Sequence, residues 1–527
     1  MTKNIIAFLM LMMGNTISQA QTYQQKMSQF LQLLDKQYVE TINMDSLVEI
    51  GITKMLEELD PHSVYLTAEE LRKANEPLEG NFEGVGIQFN ILDDTIMVVN
   101  VIPGGPSHKV GLMDGDKIIA IDGENVAGVG IKNDGVFKRL RGKKGTEVTV
   151  TVKRYGEKTT LDYLIVRDKI PIYAVDAAYM TDKHTGYIKL SRFSATADEE
   201  VAEAIDSLKK IGMENLILDL TDNSGGYLNQ AHALADEFLS KDRLIVYTEG
   251  KSSPRQDFNA TETGQFEHGK LVLMIDEGSA SASEIVSGAI QDWDRGLLVG
   301  RRTFGKGLVQ KGYPFIDQSA VRLTVSKYFI PSGRCIQKHY DKGNDDEYRE
   351  DFTNRYNSGE YFVKDSMKIL DSTRYFTASK RIVYGGGGVI PDVFVPADTT
   401  WRSHYYSSLL RTGSFNGFCL HYVNDHRAIL QQQYPTQEDF LRDFEITKDL
   451  WDGFFAFAKS KNADPGTENY SQSLPTISYH LKALIGQYLF DSKIYYQIMN
   501  ELNPIYKKAT ESIYDNTFKE YGIKNKG

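Results

Sequence analysis

Three stretches in the middle of the chain hold the residue types that acyl-transfer chemistry needs. They are Thr221-Asp222-Asn223-Ser224-Gly225-Gly226, Glu277-Gly278-Ser279-Ala280-Ser281-Ala282-Ser283-Glu284, and Gly300-Arg301-Arg302-Thr303-Phe304-Gly305-Lys306-Gly307. The third nearly spells a nucleotide-binding loop. That loop requires Ser or Thr after its lysine, to hold magnesium, and a helix that starts there. Here Gly307 follows Lys306 and "LVQKGYPF" reads as an extended segment, so a phosphate-gripping lysine is disfavoured.

The second stretch lies between an apolar run, "LVLMID", and a helical one, "SEIVSGAIQDW". Two readings of Ser281 stand at this point. In the first, Ser281 and Glu284 form a Ser-x-x-Glu capping box. In the second, Ser281 is a nucleophile. Main-chain N–H groups at a helix start carry partial positive charge and suit the oxyanion formed when a serine attacks a carbonyl. Such a serine needs a base. No G-x-S-x-G elbow is present, and the ten histidines, His62, His184, His232 and His268 among them, stand in no suggestive loop.

Lys306 follows "GLLVG", the first regular element after the serine helix. If the two strands are parallel neighbours, Ser281 and Lys306 meet at one edge of a sheet. A lysine with an ordinary pKa of about 10.4 is a poor base. Burial lowers that value, and Gly305 and Gly307 permit close packing around the amine. A neutral lysine can then take the serine proton. Gln310 is four residues on and reaches the amine only if the segment is helical or bent. The glycine loop at 221–226 is either a simple turn or a source of N–H groups, from Gly225 or Gly226, that join Ala282 in an oxyanion hole.

The elements that must position these loops are legible as period. Residues 22–75 read as helices, including "MSQFLQLLDKQYVE" with Met27, Phe30, Leu31, Leu34 and Tyr38 on one face, and "SLVEIGITKMLEELD", which stops at Asp60-Pro61-His62-Ser63. Residues 80–167 alternate short β runs with glycine turns, which predicts a small β module. From 170 to 335, strands alternate with helices, which predicts a largely parallel sheet with sites at the carboxyl ends of its strands. Residues 340–395 are polar and irregular, and helical periodicity returns after 400. The fold class is therefore multidomain α/β. Its predicted segments are 21–78 (helical), 79–167 (β module), 168–400 (α/β core) and 401–527 (helical tail).

The chain has 527 residues, 41% hydrophobic and 25% charged, with a net charge of −11 and no long basic run, so nucleic acid is not an expected partner. Lys3, the apolar run from Ile5 to Met13 and Ser18-Gln19-Ala20 read as a signal peptide over 1–20. No later segment has the ~20 apolar residues of a membrane span. Export is expected, to the periplasm if the source is Gram-negative. The two cysteines, Cys335 and Cys419, exclude a disulfide scaffold.

Taken together, "DLTDNSGG", "EGSASASEI" and "GRRTFGKGLVQ", with "LDPHSVYL" before them and "RLTVSKYFIPSGRCIQK" after, resemble the carboxy-terminal processing peptidases, tail-specific serine proteases of the S41 type. The resemblance covers roughly residues 25–400. It implies a Ser281–Lys306 dyad assisted by Gln310, with oxyanion donors at Gly225 or Gly226 and at Ala282. No metal or cofactor is implied. It also implies a PDZ domain at 79–167, in which Gly84, Val85, Gly86 and Ile87 receive the C-terminus of a protein or peptide as an added strand. Two departures are visible. Thr221 stands where the family has arginine, which is expected to weaken a buttress of the glycine loop, and Val110 stands before Gly111-Leu112 where alanine is usual. A PDZ scaffold with an inactive core is the alternative. Self-association through helices at either end is also open to such a chain.

Overall fold

The computed structural model describes residues 22–523 except 155, 262, 263, 345 and 370; the expected signal peptide lies outside them. At its centre is a six-stranded sheet in the order Val175–Met180, Thr185–Leu190, Asn215–Asp219, Leu271–Ile275, Leu297–Gly300, Val393–Phe394. The first pair is antiparallel and the other pairings are parallel. Strands buried on both faces read as continuous apolar runs. Leu271–Ile275 and Leu297–Gly300 are such strands, buried at every position.

Alternation along the strands divides the core in two. Leu216, Leu218, Leu271, Leu273 and Ile275 pack with residues of the helices Ala197–Lys210, Leu228–Asp236 and Ala282–Asp292. On the other face, Ile217, Val272, Met274, Leu297 and Val299 pack with Ile505, Ala509, Ile513 and Phe518. The second face of the central sheet is thus covered by residues 505–518 of the tail.

A second, antiparallel sheet was not anticipated from the sequence. In it the long strand Ala320–Phe329 pairs with Val64–Leu66, Leu244–Gly250 and Leu308–Pro314. Residues 340–395, read as irregular, contain the helices Asp346–Arg349 and Asp351–Asn357, a hairpin from Arg374–Phe376 and Ile382–Tyr384, and the last strand of the central sheet.

The β module is an antiparallel sheet of Ile87–Leu92, Thr95–Val101, Lys117–Ile121, Glu147–Lys153 and Leu161–Val166, with Glu124–Asn125 paired to the third of these. The helices Pro106–Val110 and Asn133–Leu140 accompany it. Ile96 and Val98 face its own core. Their neighbours Met97 and Val99, with Leu92, pack instead against Leu420 and Tyr488 of the tail. Around that contact Arg427 approaches Asp114 at 3.8 Å, and Lys461 approaches Asp93 at 3.7 Å. The tail also holds the central sheet. Tyr496 donates to Asp176 Oδ2 at 2.8 Å, and Asn500 donates to the Tyr179 hydroxyl at 2.9 Å.

The tail therefore bridges the β module and the core. Placing a carboxylate in its apolar contact, Leu420→Asp, is expected to speed hydrogen exchange over Thr95–Val101 by ~10-fold or more while the central strands stay protected, as local opening outpaces global unfolding. Hydrogen-exchange mass spectrometry reads this directly.

At the other end, the helix over 22–37 and the helix Met44–Glu57 leave an apolar groove of about 680 Å³ between them, lined by Met27, Phe30, Leu31, Leu34 and Tyr38 and by Ile50 and Met55. Cys335 and Cys419 are free thiols. Among the described residues no helix is long and apolar enough to cross a membrane.

Candidate active site

The three loops singled out in the sequence leave the carboxyl ends of three adjacent parallel strands. Asp219 pairs with Met274, and Ile275 pairs with Gly300. The parallel pairing on which a meeting of Ser281 and Lys306 depended is present. Hydrogen bonds stitch the loops together. Asn223 O accepts from Ala280 N at 3.0 Å and from Ser283 Oγ at 2.8 Å, and Ser279 O accepts from Phe304 N at 3.0 Å.

Ser281 stands immediately before the helix Ala282–Asp292, with φ 56° and ψ −110°. A side chain in this region of backbone space costs on the order of 1–3 kcal/mol and persists only where its surroundings impose it. Glu284 is the main restraint. This carboxylate is wholly buried, and each of its oxygens accepts two bonds. Oε2 accepts from Ser281 N at 2.8 Å and from Lys306 N at 2.9 Å. Oε1 accepts from Thr303 Oγ1 at 2.5 Å and from Gly305 N at 2.7 Å. The capping box read from the sequence is thus half of a larger device, because the same carboxylate mounts the lysine loop. Burial pushes the Glu284 carboxyl up to about 7, against the pull of these four donors. A second clasp comes from Tyr328, whose hydroxyl lies 3.0 Å from Ser281 O and 2.5 Å from Lys306 O.

Lys306 is mostly buried. Desolvation lowers its pKa from the ordinary lysine value; Glu284 and Asp60 oppose that shift and Arg322 reinforces it. Gly305 and Gly307 do permit the close packing expected of them. A Cβ on Gly305 would lie 3.0 Å from Gly388 N, and one on Gly307 2.8 Å from Gln337 N. The Gly-rich loop at 385–388 therefore packs directly against the lysine loop.

Gln310 lies on the strand Leu308–Pro314, at a register shift between Val309 and Gln310. Its Nε2 donates to Thr324 Oγ1 at 3.2 Å. His62 was passed over in the sequence and joins this neighbourhood. Its Nε2 lies 2.7 Å from the Tyr348 hydroxyl, and burial together with the charge of Lys306 lowers its pKa to about 4. It is neutral at neutral pH. The histidine belongs to the turn Asp60-Pro61-His62-Ser63, which the strand Val64–Leu66 docks on the long strand, with Val64 opposite Arg322.

The glycine loop is braced despite the loss of arginine at 221. Lys189, on the neighbouring strand, donates to Thr221 O at 2.5 Å, to Thr221 Oγ1 at 3.1 Å and to Asp219 Oδ1 at 3.2 Å. A cation thus reaches the root of the loop from the strand Thr185–Leu190. Beyond it, Gly225 N donates to Asn223 Oδ1 at 2.9 Å. Among the described residues no acceptor engages the N–H of Gly226 or of Ala282.

In the β module, Val85, Gly86 and Ile87 line a small apolar pocket of about 40 Å³ with Phe89, Phe137, Leu140 and Arg141. Gly84 ends the strand before it, opposite Asp168. Val85 O is held by Ser107 N at 3.0 Å and Ser107 Oγ at 2.7 Å. Arg141, not singled out in the sequence, lies over the Phe137 ring at 4.7 Å and pairs with Glu76 of the helix Ala68–Glu79.

Comparison with known proteins follows this layout. The pattern of peptidase family S41 matches residues 184–345, and that of the PDZ domain residues 84–165. The pattern of the activating protease CtpB N-terminal domain matches residues 11–70, and a family of unknown function matches 405–491. The chain is 36% identical over 328 residues to a carboxy-terminal-processing protease of Bartonella bacilliformis, covering 61% of this chain and 75% of that protein. To the carboxy-terminal processing protease CtpB of Bacillus subtilis it is 34% identical over 316 residues, covering 59% of this chain and 65% of the relative, so it spans slightly under two thirds of that length. Among solved structures, the photosystem II D1 C-terminal processing protease is similar at 25% identity over 70% of this chain and 87% of its own, with a TM-score of 0.35. With the S41 and PDZ patterns in the expected order, and identity sustained across three quarters of the Bartonella protein, the chain belongs to the PDZ-containing carboxy-terminal processing proteases of peptidase family S41.

Proposed function

We propose that this chain is an exported serine endopeptidase that hydrolyses protein substrates near their C-termini, with Ser281 as nucleophile and Lys306 as general base. One observation carries the reading. A single buried carboxylate, Glu284, holds the main chain of Ser281 at 2.8 Å and that of Lys306 at 2.9 Å, so two residues distant in sequence share one mount. Neutral Lys306 takes the Ser281 proton as Oγ attacks the scissile carbonyl. The N–H groups of Ala282 and of the glycine loop hold the oxyanion. Lys306 then returns the proton to the leaving amine, and water hydrolyses the acyl-enzyme. Of the two glycines named, Gly226 has the uncommitted N–H, whereas Gly225 N is taken by Asn223. The PDZ domain captures the substrate's free carboxyl end beside Val85, Gly86 and Ile87. Export rests on the leader-like residues 1–20.

An alkyl fluorophosphonate, which forms an O–P bond with an activated serine as fluoride leaves, tests the dyad. Its reaction is expected at Ser281, at a rate that rises with pH. The base must lose its proton, so reactivity increases as Lys306 deprotonates. Below about pH 7 it is further reduced, because protonating Glu284 removes one of its four acceptor positions. Peptide mapping of the label checks the site, and a pH series checks the sign. Labelling at another serine, or a rate independent of pH, contradicts the assignment.

Gly225→Ala is a sharp local probe. A methyl group there would lie 2.7 Å from Ala280 O and 2.9 Å from Ala282 N, at a backbone φ of +99°. It would crowd an oxyanion donor, and kcat is expected to fall by about 100-fold or more, as measured by peptide trimming.

A further inference from the structure

The Gln310 amide is held in one orientation from a distance. Asp60 is buried, and its carboxylate only accepts. Oδ1 takes the main-chain N–H groups of His62 and Ser63, each at 2.9 Å, and Oδ2 takes Ser63 Oγ at 2.6 Å. Oδ1 also takes the hydroxyl of Thr324 at 2.9 Å. A threonine hydroxyl has one proton. With that proton given to Asp60, Thr324 Oγ1 can only accept from its cross-strand partner Gln310, 3.2 Å away. The end of the Gln310 side chain that faces Thr324 must therefore be the NH₂. Its carbonyl oxygen is turned the other way and is free to accept. Ser63 Oγ adds a main-chain anchor by accepting from Thr324 N at 3.1 Å.

We propose that Asp60 and Thr324 are positioning residues that lock the Gln310 amide with its carbonyl oxygen presented to the Lys306 amine. The inference rests on the Ser281–Lys306 reading. It adds that the turn closing the N-terminal helices is part of the apparatus that orients the base. Glu284 from the serine helix, Asp60 from the turn and Arg322 from the long strand act on the amine through their charges, and the amine acts in turn on His62. Of these, only Asp60 bears on the amide's orientation, and it does so through Thr324.

The test is a double-mutant cycle on purified full-length protein, with trimming of a peptide substrate read as kcat, KM and pH profile. Thr324→Val removes the acceptor at nearly constant shape. Its kcat is expected to fall about 10- to 100-fold with KM changed less than ~3-fold, the size of a general-base contribution in part lost. The acid limb should move to lower pH, because the lysine ammonium loses an acceptor. Thr324→Ser should recover kcat to within ~3-fold, since it keeps the hydroxyl. In a Gln310→Met background, Thr324→Val should cost nothing more, because a residue that acts through Gln310 has nothing left to act on. Thr324→Ala serves the same cycle if the valine variant does not fold. Multiplicative losses in the double variant, or wild-type kcat in Thr324→Val, overturn the inference. Ser281→Ala and Lys306→Ala run in parallel. If either trims like wild type, the dyad itself falls. If both are inactive while Thr324→Val is normal, only the positioning role falls.

Discussion

Replacing Lys306 by alanine is expected to lower kcat/KM for C-terminal trimming by about 10⁴-fold or more, the range seen when a member of a nucleophile–base pair is removed. Lys306→Arg should be equally inactive. A guanidinium keeps the positive charge yet does not deprotonate in proteins, so the comparison separates a base from a cation that merely stabilises charge. The structure supports the role of base. Burial lowers the lysine pKa, the Gly305 and Gly307 neighbours pack tightly, and Glu284 fixes Lys306 through the main chain, leaving the amine to its chemistry. Substrate capture by the PDZ domain should survive both substitutions, so KM should change far less than kcat.

Glu284→Gln is also expected to be strongly damaging, although it alters a single atom of one wholly buried side chain. Two donors meet at each carboxylate oxygen. An amide can satisfy only one such pair. Its NH₂ would face either the N–H groups of Ser281 and Lys306, or Thr303 and Gly305. Each donor left without an acceptor costs on the order of 1–3 kcal/mol. The strained Ser281 backbone would lose its principal restraint. A drop in kcat of about 100-fold or more is expected, with a melting temperature lower by several degrees. Calorimetry and trimming kinetics on the same sample check both parts. Glu284→Asp, which keeps the charge and shortens the reach, should fare no better, because four partners are arranged around one position.

Much of this site could be read from local pattern. Runs such as "LVLMID" and "GLLVG", with a helix between them, dictate a right-handed parallel crossover, and that topology delivers Ser281 and Lys306 to one edge. The PDZ strands and their turns were legible for the same reason. What the sequence hid were partners without a period. Glu284 looked like a cap, since its bond to Ser281 spans three residues, while its bonds to Thr303, Gly305 and Lys306 span 19, 21 and 22. The available signal was a carboxylate in a helix buried on every side. His62 and Tyr348 are 286 residues apart, and nothing near either names the other. Lys189 offered a clue as the one charge in an otherwise apolar strand, "YIKL", but its target on the next strand depends on register. The tail was legible as helices, yet not as the cover of the central sheet. Amphipathic periodicity shows that a face must be buried and is silent about what buries it.

The most direct measurement is mass spectrometry of a loosely folded protein incubated with the wild-type enzyme, with Ser281→Ala and with Lys306→Ala. The account predicts progressive shortening from the C-terminus by wild type alone, with the substrate's N-terminus intact. Shortening that persists in Ser281→Ala would contradict the nucleophile, and shortening that persists in Lys306→Ala would contradict the base.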